Sequence, residues 1–363
     1  RRRWLKRQGQ HSSSILGSDH LLCRMSQSDR LFLEDGCPAL AAKLAAKLVE
    51  DPNAQFQEHD IQDFEFVYSL ATEGSHLLFQ LRYPFLGEVL QHGSQVLLER
   101  VWEGLPVQLE LKEAEGILNI SVDSQTVGED TAYRQRFARL LASARVFLLV
   151  GPLVERLRWL QETSEIAAAA AAKAPAGAAT TAAGEAQAAV QVPPILELHI
   201  RHMETIWIVT KPDRVLVIMA VHLGDEVDVA LGRVFCQEFA ETNRIPNTFA
   251  PPCFFNESKD LPADLRSAPP ANLPNVGFLT LTLSDQIVRG ASEDRLHALA
   301  RPVMTFRNFF ILHLDQAKMY LNSRLRRRVE GWQNQLNLAR RAPKRGQEKR
   351  RLVSGKEFVR PSF

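Results

Sequence analysis

The sequence has few cysteines, and their spacing excludes the sites that cysteines most often build. Only 4 occur among 363 residues, and none belongs to a CxxC pair. Neither a disulfide framework nor a structural zinc site is indicated. A reducing compartment is therefore expected.

Long apolar runs are also missing. The longest, Leu140 to Val154, is interrupted by Arg145 and by Gly151-Pro152. It is shorter than the roughly 20 apolar residues that a helix needs to cross a bilayer. The sequence therefore predicts no membrane insertion.

The motifs of common enzymes are absent as well. Gly355-Lys356 lacks the upstream glycine and the following Ser or Thr of a phosphate-binding loop, and no GxSxG or HExxH motif occurs. On a strand, the odd spacing of His199 and His202 would send their side chains to opposite faces, which disfavours a shared metal. Asp225 to Asp228 is interpreted as an acidic hairpin tip. We expect a protein that is not an enzyme and has no cofactor or metal.

What the sequence does have is an uneven charge distribution. The formal net charge is only +2, but residues 318–360 contain 14 Lys and Arg against 3 Asp and Glu, a local net charge of +11. The remainder of the chain therefore carries −9. A basic C-terminal arm of this kind is expected to bind an acidic surface, and salt should weaken the attraction.

Two kinds of acidic partner fit this arm. A nucleic acid is one, although Trp332 is the only aromatic residue between Arg324 and Arg351, so base stacking would be poor. An acidic protein polymer fits equally well on charge alone.

Hydrophobic periodicity predicts a first α/β domain over residues 28–162. Helices are expected over 37–50, over 83–102 with Gly93 tolerated or marking a break, and over 131–161 with a kink at Pro152. Strands are expected over 64–68, 76–81, 107–111 and 117–122.

Two segments have the composition of disordered chain. Residues 163–192 are rich in alanine and have almost no large side chains, so we expect a flexible linker or insertion there. Residues 1–27 are polar and without periodicity and are predicted to be a disordered extension, with Met25 near the natural start.

A second α/β domain is predicted over residues 193–300, built on an antiparallel meander. Its strands are expected over 195–200, 205–210, 215–223, 232–239 and 276–283, with an edge strand over 249–255.

The remaining pattern is that of one long helix over about 303–341, within a segment 301–342 that a basic tail over 343–363 follows. At 1.5 Å per residue this helix would be roughly 58 Å long, longer than its own domain is wide. Its distal half is therefore expected to pack on another chain. Pro302 is expected to delay the start of the helix or to bend it.

Several short motifs occur in the order and at nearly the spacing of one known family. They are Asp213-Arg214-Val215, Gly232-Arg233-Val234-Phe235, Gln237-Glu238-Phe239, Thr305-Phe306-Arg307, Ala317-Lys318, Leu336-Asn337 and Gly355-Lys356. Through them the C-terminal half resembles subunit 2 of the actin-related protein 2/3 complex. The N-terminal half is more weakly similar, through Leu31 to Glu34 and Gln91-His92-Gly93.

The resemblance implies an α+β fold of two tandem related domains, each an antiparallel sheet flanked by helices, with a long C-terminal helix. It implies that this helix packs antiparallel on subunit 4 of the complex, and that the two subunits form the structural core and contact the mother actin filament. Nucleotide would be held by the two actin-related proteins, which leaves this chain without a cofactor. The expected location is the cytoplasm, in the cytoskeleton of the actin-rich cell cortex.

We therefore predict an actin-binding structural core subunit that supports nucleation of branched actin filaments, with a nucleic-acid-binding protein as the alternative. Contact with the filament or with another subunit is assigned to Arg324, Arg326, Arg328, Arg340 and Lys356. Packing of the long helix is assigned to Phe306, Phe310, Leu314 and Leu321.

Overall fold

The computed structural model describes most of the chain, namely residues 38–50, 55–60, 65–73, 76–103, 105, 107–123, 131–173, 181, 184, 189–242, 251–257, 260–266, 276–339, 350–351 and 357–358. The chain divides into two compact units, Arg1–Ile311 and Leu312–Phe363. The predicted extension over 1–27 lies outside the described residues.

The first half of the chain forms a five-stranded antiparallel sheet in the order β1-β2-β3-β5-β4. The strands are β1 (Phe56–His59), β2 (Val67–Glu73), β3 (His76–Arg82), β4 (Val107–Lys112) and β5 (Ile117–Asp123). In β3 the buried residues are Leu77, Phe79 and Leu81, so every second side chain enters the core. The short edge strand β1 was not predicted, because Phe56–His59 contains a single apolar residue.

Five helices accompany this sheet in the described part of the first half of the chain. They are α1 (Pro38–Glu50), α2 (Leu86–Val89), α3 (Gln95–Trp102), α4 (Thr131–Ala142) and α5 (Ala144–Lys173). Between α2 and α3, residues Leu90–Ser94 form an irregular turn in which Gly93 has φ +82°. That conformation is open to glycine at little steric cost, and of the two alternatives at Gly93, tolerated within the helix or marking a break, the structure has the break.

Pro152, where a kink was expected, lies inside α5, and the helix continues through it. Proline has no N–H to donate to the carbonyl four residues earlier, which here belongs to Leu148. The Ser94 hydroxyl donates to that carbonyl oxygen instead, at 2.5 Å. The helical segment breaks earlier, at Ser143, where α4 and α5 meet at 55°.

Helix α5 also extends beyond its expected end, to Lys173. The segment predicted as a linker therefore begins with about three helical turns, and the first of them packs on the protein through Thr163, Ser164 and Ala167, which are buried. Alanine has the strongest intrinsic helix preference, and this favours helix once the flanking turns are docked. Of residues 174–188, only 181 and 184 are described.

The second half forms another five-stranded antiparallel sheet, in the order β6-β7-β8-β10-β9. Its strands are β6 (Leu196–Arg201), β7 (Glu204–Thr210), β8 (Arg214–His222), β9 (Cys253–Asn256) and β10 (Val276–Ser284). Strand β9 lies at the edge, as predicted. The core of this sheet is rich in β-branched residues of β8, whose side chains are buried on both faces.

The strand predicted over 232–239 is wrong, since these residues belong to helix α6 (Glu226–Thr242). The acidic residues before it are the start of this helix and do not form a hairpin tip. A carboxylate oxygen of Asp225 accepts the backbone N–H of Asp228 at 2.9 Å, which is a helix N-cap. Gly232, Cys236 and Phe239 recur at helical spacing toward the core, and this period competes with the short apolar run Val234-Phe235-Cys236, which resembles a strand.

A short helix, α7 (Asp285–Val288), precedes the 47-residue helix α8 (Glu293–Ala339). The prediction of a long C-terminal helix is confirmed, but its start at about residue 303 is wrong. Ser292 caps the first turn by accepting the N–H of Arg295 at 3.4 Å, and two acidic residues follow at the positive end of the helix dipole. Pro302 lies inside the helix. A small two-stranded ribbon of β11 (Arg350–Arg351) and β12 (Glu357–Phe358) follows α8. The fold is α+β with two sheet domains, as predicted.

Within the described residues, no single helix is both long and apolar enough to cross a membrane. Helices α4 and α5 meet the criteria of length and composition only when they are taken together as a bent pair.

Candidate partner-binding helix

The proximal part of α8 is held to the second sheet by a buried carboxylate. Glu204 of β7 is 5% exposed and accepts hydrogen bonds from the Arg307 guanidinium at 2.6 Å and from the backbone N–H of His222 at 3.1 Å. Arg201 pairs with the same carboxylate. Burial raises the pKa of Glu204, but the two guanidiniums outweigh it, so the pKa lies below the ordinary value.

A second carboxylate anchors the first turn of α8 to helices of the first half. Glu293 pairs with Arg100 of α3 at 3.0 Å and with Arg158 of α5. Burial acts to raise the pKa of Glu293, but hydrogen bonds from Arg158 and Arg100 lower it to about 2. The start of the long helix is therefore tied to both halves of the first unit.

Aromatic packing joins the next turns of α8 to α6. The ring centroids of Phe310 and Phe235 are 5.4 Å apart, and those of Phe306 and Phe239 are 5.7 Å apart. Phe310 is fully buried and Phe306 is half-buried. These two predicted packing residues therefore lie on the inward face of the helix.

The distal helix, which we define as residues 312–339 of α8, has a different surface. Leu314 is buried, but from residue 319 onward every side chain whose burial is described is exposed. Five of the exposed side chains are large and apolar and recur at intervals of four, four, three and four residues. They are Leu321, Leu325, Val329, Trp332 and Leu336, and each is between 44% and 66% exposed.

At 3.6 residues per turn, this spacing places the five residues within an arc of about 80°. We call this surface the apolar stripe. An exposed apolar surface of this length is typical of a protein-binding site. Leu321, predicted as a packing residue, is its first member, and it is exposed within this chain.

The arginines of the distal helix fall into two sets. Arg324 and Arg328 lie beside the apolar stripe, and Arg324 donates to the Tyr320 hydroxyl at 3.3 Å. At 100° per residue, Arg328 lies about 20° and Arg324 about 60° beyond one edge of the stripe. Arg326 lies about 60° beyond the opposite edge, and Arg327 lies on the face opposite the stripe. The predicted contact residues Arg326 and Arg328 therefore do not share one surface. Arg340 and Lys356 lie outside the described residues.

Val329, Trp332 and Leu336 were not predicted as site residues. Their signal is the alternation of three- and four-residue intervals, which the arginine run at 324–328 hides in a simple count of apolar residues.

The histidines His199 and His202 do not belong to a metal site in the described part of the chain. No group of three or more His, Cys, Asp or Glu side chains there could hold a metal ion. His199 instead contacts Glu88 at 3.2 Å through Nδ1 and donates its backbone N–H to the same carboxylate at 2.9 Å. This histidine joins β6 to the first half of the chain.

Comparison with known proteins assigns the fold and the long helix to a family. The model of the family described as "Arp2/3 complex, 34 kD subunit p34-Arc" matches residues 79–343, which is most of the chain. The chain belongs to this family. Actin-related protein 2/3 complex subunit 2 of Schizosaccharomyces pombe is 24% identical over 302 residues, which cover 83% of this chain and 90% of the relative. Subunit 2A of Arabidopsis thaliana is 32% identical over 163 residues, which cover 44% of this chain and 48% of the relative.

Membership of the p34-Arc family carries a structural role in the Arp2/3 complex, within the actin cytoskeleton of the cytoplasm. The family is one of structural subunits and is not known as an enzyme family. The matched region contains the whole described part of the distal helix. Nothing in these comparisons supports the nucleic-acid-binding alternative.

Proposed function

We propose that this chain is an actin-binding core subunit of an Arp2/3 complex, that it supports nucleation of branched filaments, and that its distal helix carries its main contacts. The observation behind this proposal is the apolar stripe. Burying one large apolar side chain is worth about 1.5–3 kcal/mol, so five such side chains in a row favour a permanent partner over solvent.

The partner that fits the stripe best is another long helix. A stripe about 80° wide with intervals of three and four residues matches the seam of two helices packed side by side. We propose that subunit 4 of the complex supplies this helix and lies antiparallel to α8. Arg324 and Arg328, which lie on one side of the stripe, would then pair with acidic residues at that edge of the seam.

The other arginines are available for a different surface. Arg327 lies opposite the stripe, and Arg326 lies about 60° beyond the edge that faces away from Arg324 and Arg328, so a partner helix centred on the stripe leaves both accessible. We propose that they face the acidic surface of the mother filament, together with Arg340 and Lys356 of the C-terminal arm. Nucleotide binding and catalysis would belong to the two actin-related proteins, and the complex would act at the actin-rich cell cortex.

Two double charge reversals on the same helix test this division of roles. Complex containing Arg326→Glu/Arg327→Glu should assemble normally but co-sediment less with actin filaments, by about tenfold at low salt, because two attractive contacts become repulsive. The matched variant Arg324→Glu/Arg328→Glu has the same change in charge. It should instead reduce the yield of assembled complex.

Co-sedimentation should be measured at two or more salt concentrations with complex purified through a tag on this chain. The deficit of the Arg326→Glu/Arg327→Glu complex should shrink as salt rises, since the lost contacts are electrostatic. Unchanged filament binding at low salt would overturn the filament role of this face, and equal behaviour of the two variants would overturn the division.

A further inference from the structure

The packing of α6 on β9 buries two cysteines against each other. Cys236 of α6 is 5% exposed and Cys253 of β9 is 2% exposed, and neither is in a disulfide. The role of the chain in the complex uses neither of them. Their position is set by the contact between a helix and the edge strand of the second sheet.

The neighbouring residues fix the register of this contact. A Cβ atom on Gly232 would lie 3.7 Å from the Phe255 ring and 3.0 Å from the Phe310 ring. Cys236 follows Gly232 by one helical turn, about 6 Å along the axis, and Cys253 lies two residues before Phe255, roughly 7 Å along the strand on the same face. The two thiols therefore meet, and the Cys253 thiol hydrogen-bonds to Cys236.

We propose that Cys236 and Cys253 form a latent dithiol, which hydrogen peroxide converts into a disulfide that fastens α6 to β9. The native structure already brings the two sulfur atoms together, so little chain movement is needed to form the bond. The other two cysteines, Cys23 and Cys37, both belong to the N-terminal part of the sequence, far from this pair along the chain.

The reaction takes two steps. One thiol loses its proton, and its sulfur attacks an oxygen of the peroxide. The O–O bond breaks, and the sulfur becomes a sulfenic acid. The hydroxide that leaves combines with the proton of the thiol to form water. The second sulfur then attacks the sulfenic sulfur and displaces its hydroxyl group, which leaves as water with the proton of the second thiol. In sum, two thiols are oxidised to one disulfide, and one peroxide is reduced to two waters.

Burial makes this dithiol slow to react in the resting protein. The hydrogen bond to Cys236 and then burial raise the pKa of the Cys253 thiol above its ordinary value. Because the thiolate is the nucleophile, the rate of oxidation should rise about tenfold per pH unit between pH 6 and 8. The disulfide would close a loop of about 18 residues between α6 and β9. A cross-link over a loop of this length lowers the conformational entropy of the unfolded chain and should therefore stabilise the folded state.

The sequence offers a sharp assay for the bond. Trypsin cleaves after Arg233, Arg244 and Lys259, so Cys236 and Cys253 fall on the separate peptides 234–244 and 245–259. The assembled complex is treated with peroxide at several pH values, blocked with N-ethylmaleimide under denaturing conditions, digested and analysed by mass spectrometry. We expect a linked pair of these peptides that a reductant separates. Hydrogen exchange of the amides of β9 should slow by about tenfold or more after oxidation.

Complex containing Cys236→Ala serves as the control, and the linked pair should be absent from it. Recovery of both wild-type peptides only in the maleimide-blocked form, including at the highest pH and after warming to just below the melting temperature, would overturn the proposal. So would a preferential link from either residue to Cys23 or Cys37.

Discussion

At the scale of single residues, the charged groups of the core are the part of this fold that is hardest to predict. Arg145 and Asp60 are both 1% exposed, and Arg145 Nη1 lies 3.2 Å from the Asp60 carboxylate. The Tyr68 hydroxyl donates to the same carboxylate at 3.0 Å. In the sequence, Arg145 is only an interruption of an apolar run, and its partner lies much earlier in the chain, before the second strand of the first sheet.

Removing one member of this buried pair should be costly. We expect Arg145→Met to lower the free energy of unfolding by about 3–5 kcal/mol, because it leaves a buried carboxylate without its cation. The double variant Asp60→Asn/Arg145→Met should recover more than half of the loss. Denaturant unfolding of the four members of this double-mutant cycle measures the coupling, and additive losses would contradict the pairing.

Glu293 allows a prediction about pH. Its pKa is lowered from 4.5 to about 2, so its contribution to stability is fully present above pH 4.5 and is lost as the pH falls toward 2. Since its partners are partly exposed, we expect Glu293→Gln to cost only about 1 kcal/mol at pH 7.

Melting temperatures of wild type and Glu293→Gln between pH 7 and pH 3.5 test this linkage. The difference should stay constant down to about pH 5 and then begin to shrink, because the Glu293 carboxylate gains a proton in the unfolded state while it stays ionised in the folded one. A difference that grows as the pH falls would contradict the proposed ion pairs.

At the scale of elements, α5 is shaped by its close approach to the turn before α3. A Cβ atom on Gly151 would lie 2.4 Å from Ser94 Cα, and Gly151 precedes the proline whose missing hydrogen bond Ser94 replaces. The glycine and the proline thus act together at one contact.

Two glycine-to-alanine substitutions within helices separate this contact from helix propensity. Gly151→Ala should lower the free energy of unfolding by about 1–3 kcal/mol, because the backbone of Ser94 must move. The new Cβ atom of Gly331→Ala would have no neighbouring heavy atom of the described residues within 4 Å. This substitution should therefore raise the free energy of unfolding by up to about 1 kcal/mol, because alanine favours the helix. Thermal unfolding of both variants is the measurement, and two changes of the same sign would contradict the account.

Most elements of the fold follow from the period of their apolar residues, and the exceptions have physical causes. Strands β3, β5, β8 and β10 were predicted because their residues alternate or form short apolar runs. Helix α6 was predicted as a strand, because Val234-Phe235-Cys236 is a short apolar run with a β-branched and an aromatic residue. The N-cap at Asp225 was the missed signal. Pro152 and Pro302 both lie inside helices that continue through them, and Pro302 does not delay the start of α8, which begins at Glu293.

At the scale of the whole molecule, the basic arm and the long helix were predictable from the sequence, but the arrangement of the contact residues around that helix was not. Composition shows where the positive charge lies, and periodicity shows that α8 outgrows its domain. Only the helical geometry separates Arg324 and Arg328, on one side of the stripe, from Arg326 on its other side and Arg327 opposite it. The family match accounts for why a helix of this kind exists, because its members are subunits of a larger complex.

The central claim is that the apolar stripe of the distal helix holds this chain in the complex. Its most direct test is to purify the tagged chain from cells and to measure the amount of other Arp2/3 subunits that is recovered with it. The cells express the wild-type chain, the stripe variant Leu325→Asp/Trp332→Asp, or the matched control Met319→Asp/Leu338→Asp. The control residues are also large, apolar and more than 60% exposed, but they lie off the stripe.

We expect the stripe variant to recover less than a tenth of the wild-type amount of partner subunits, since two buried apolar contacts are replaced by unpaired charges. The control should recover nearly the wild-type amount. Normal recovery with Leu325→Asp/Trp332→Asp, or an equal loss with both variants, would contradict the claim.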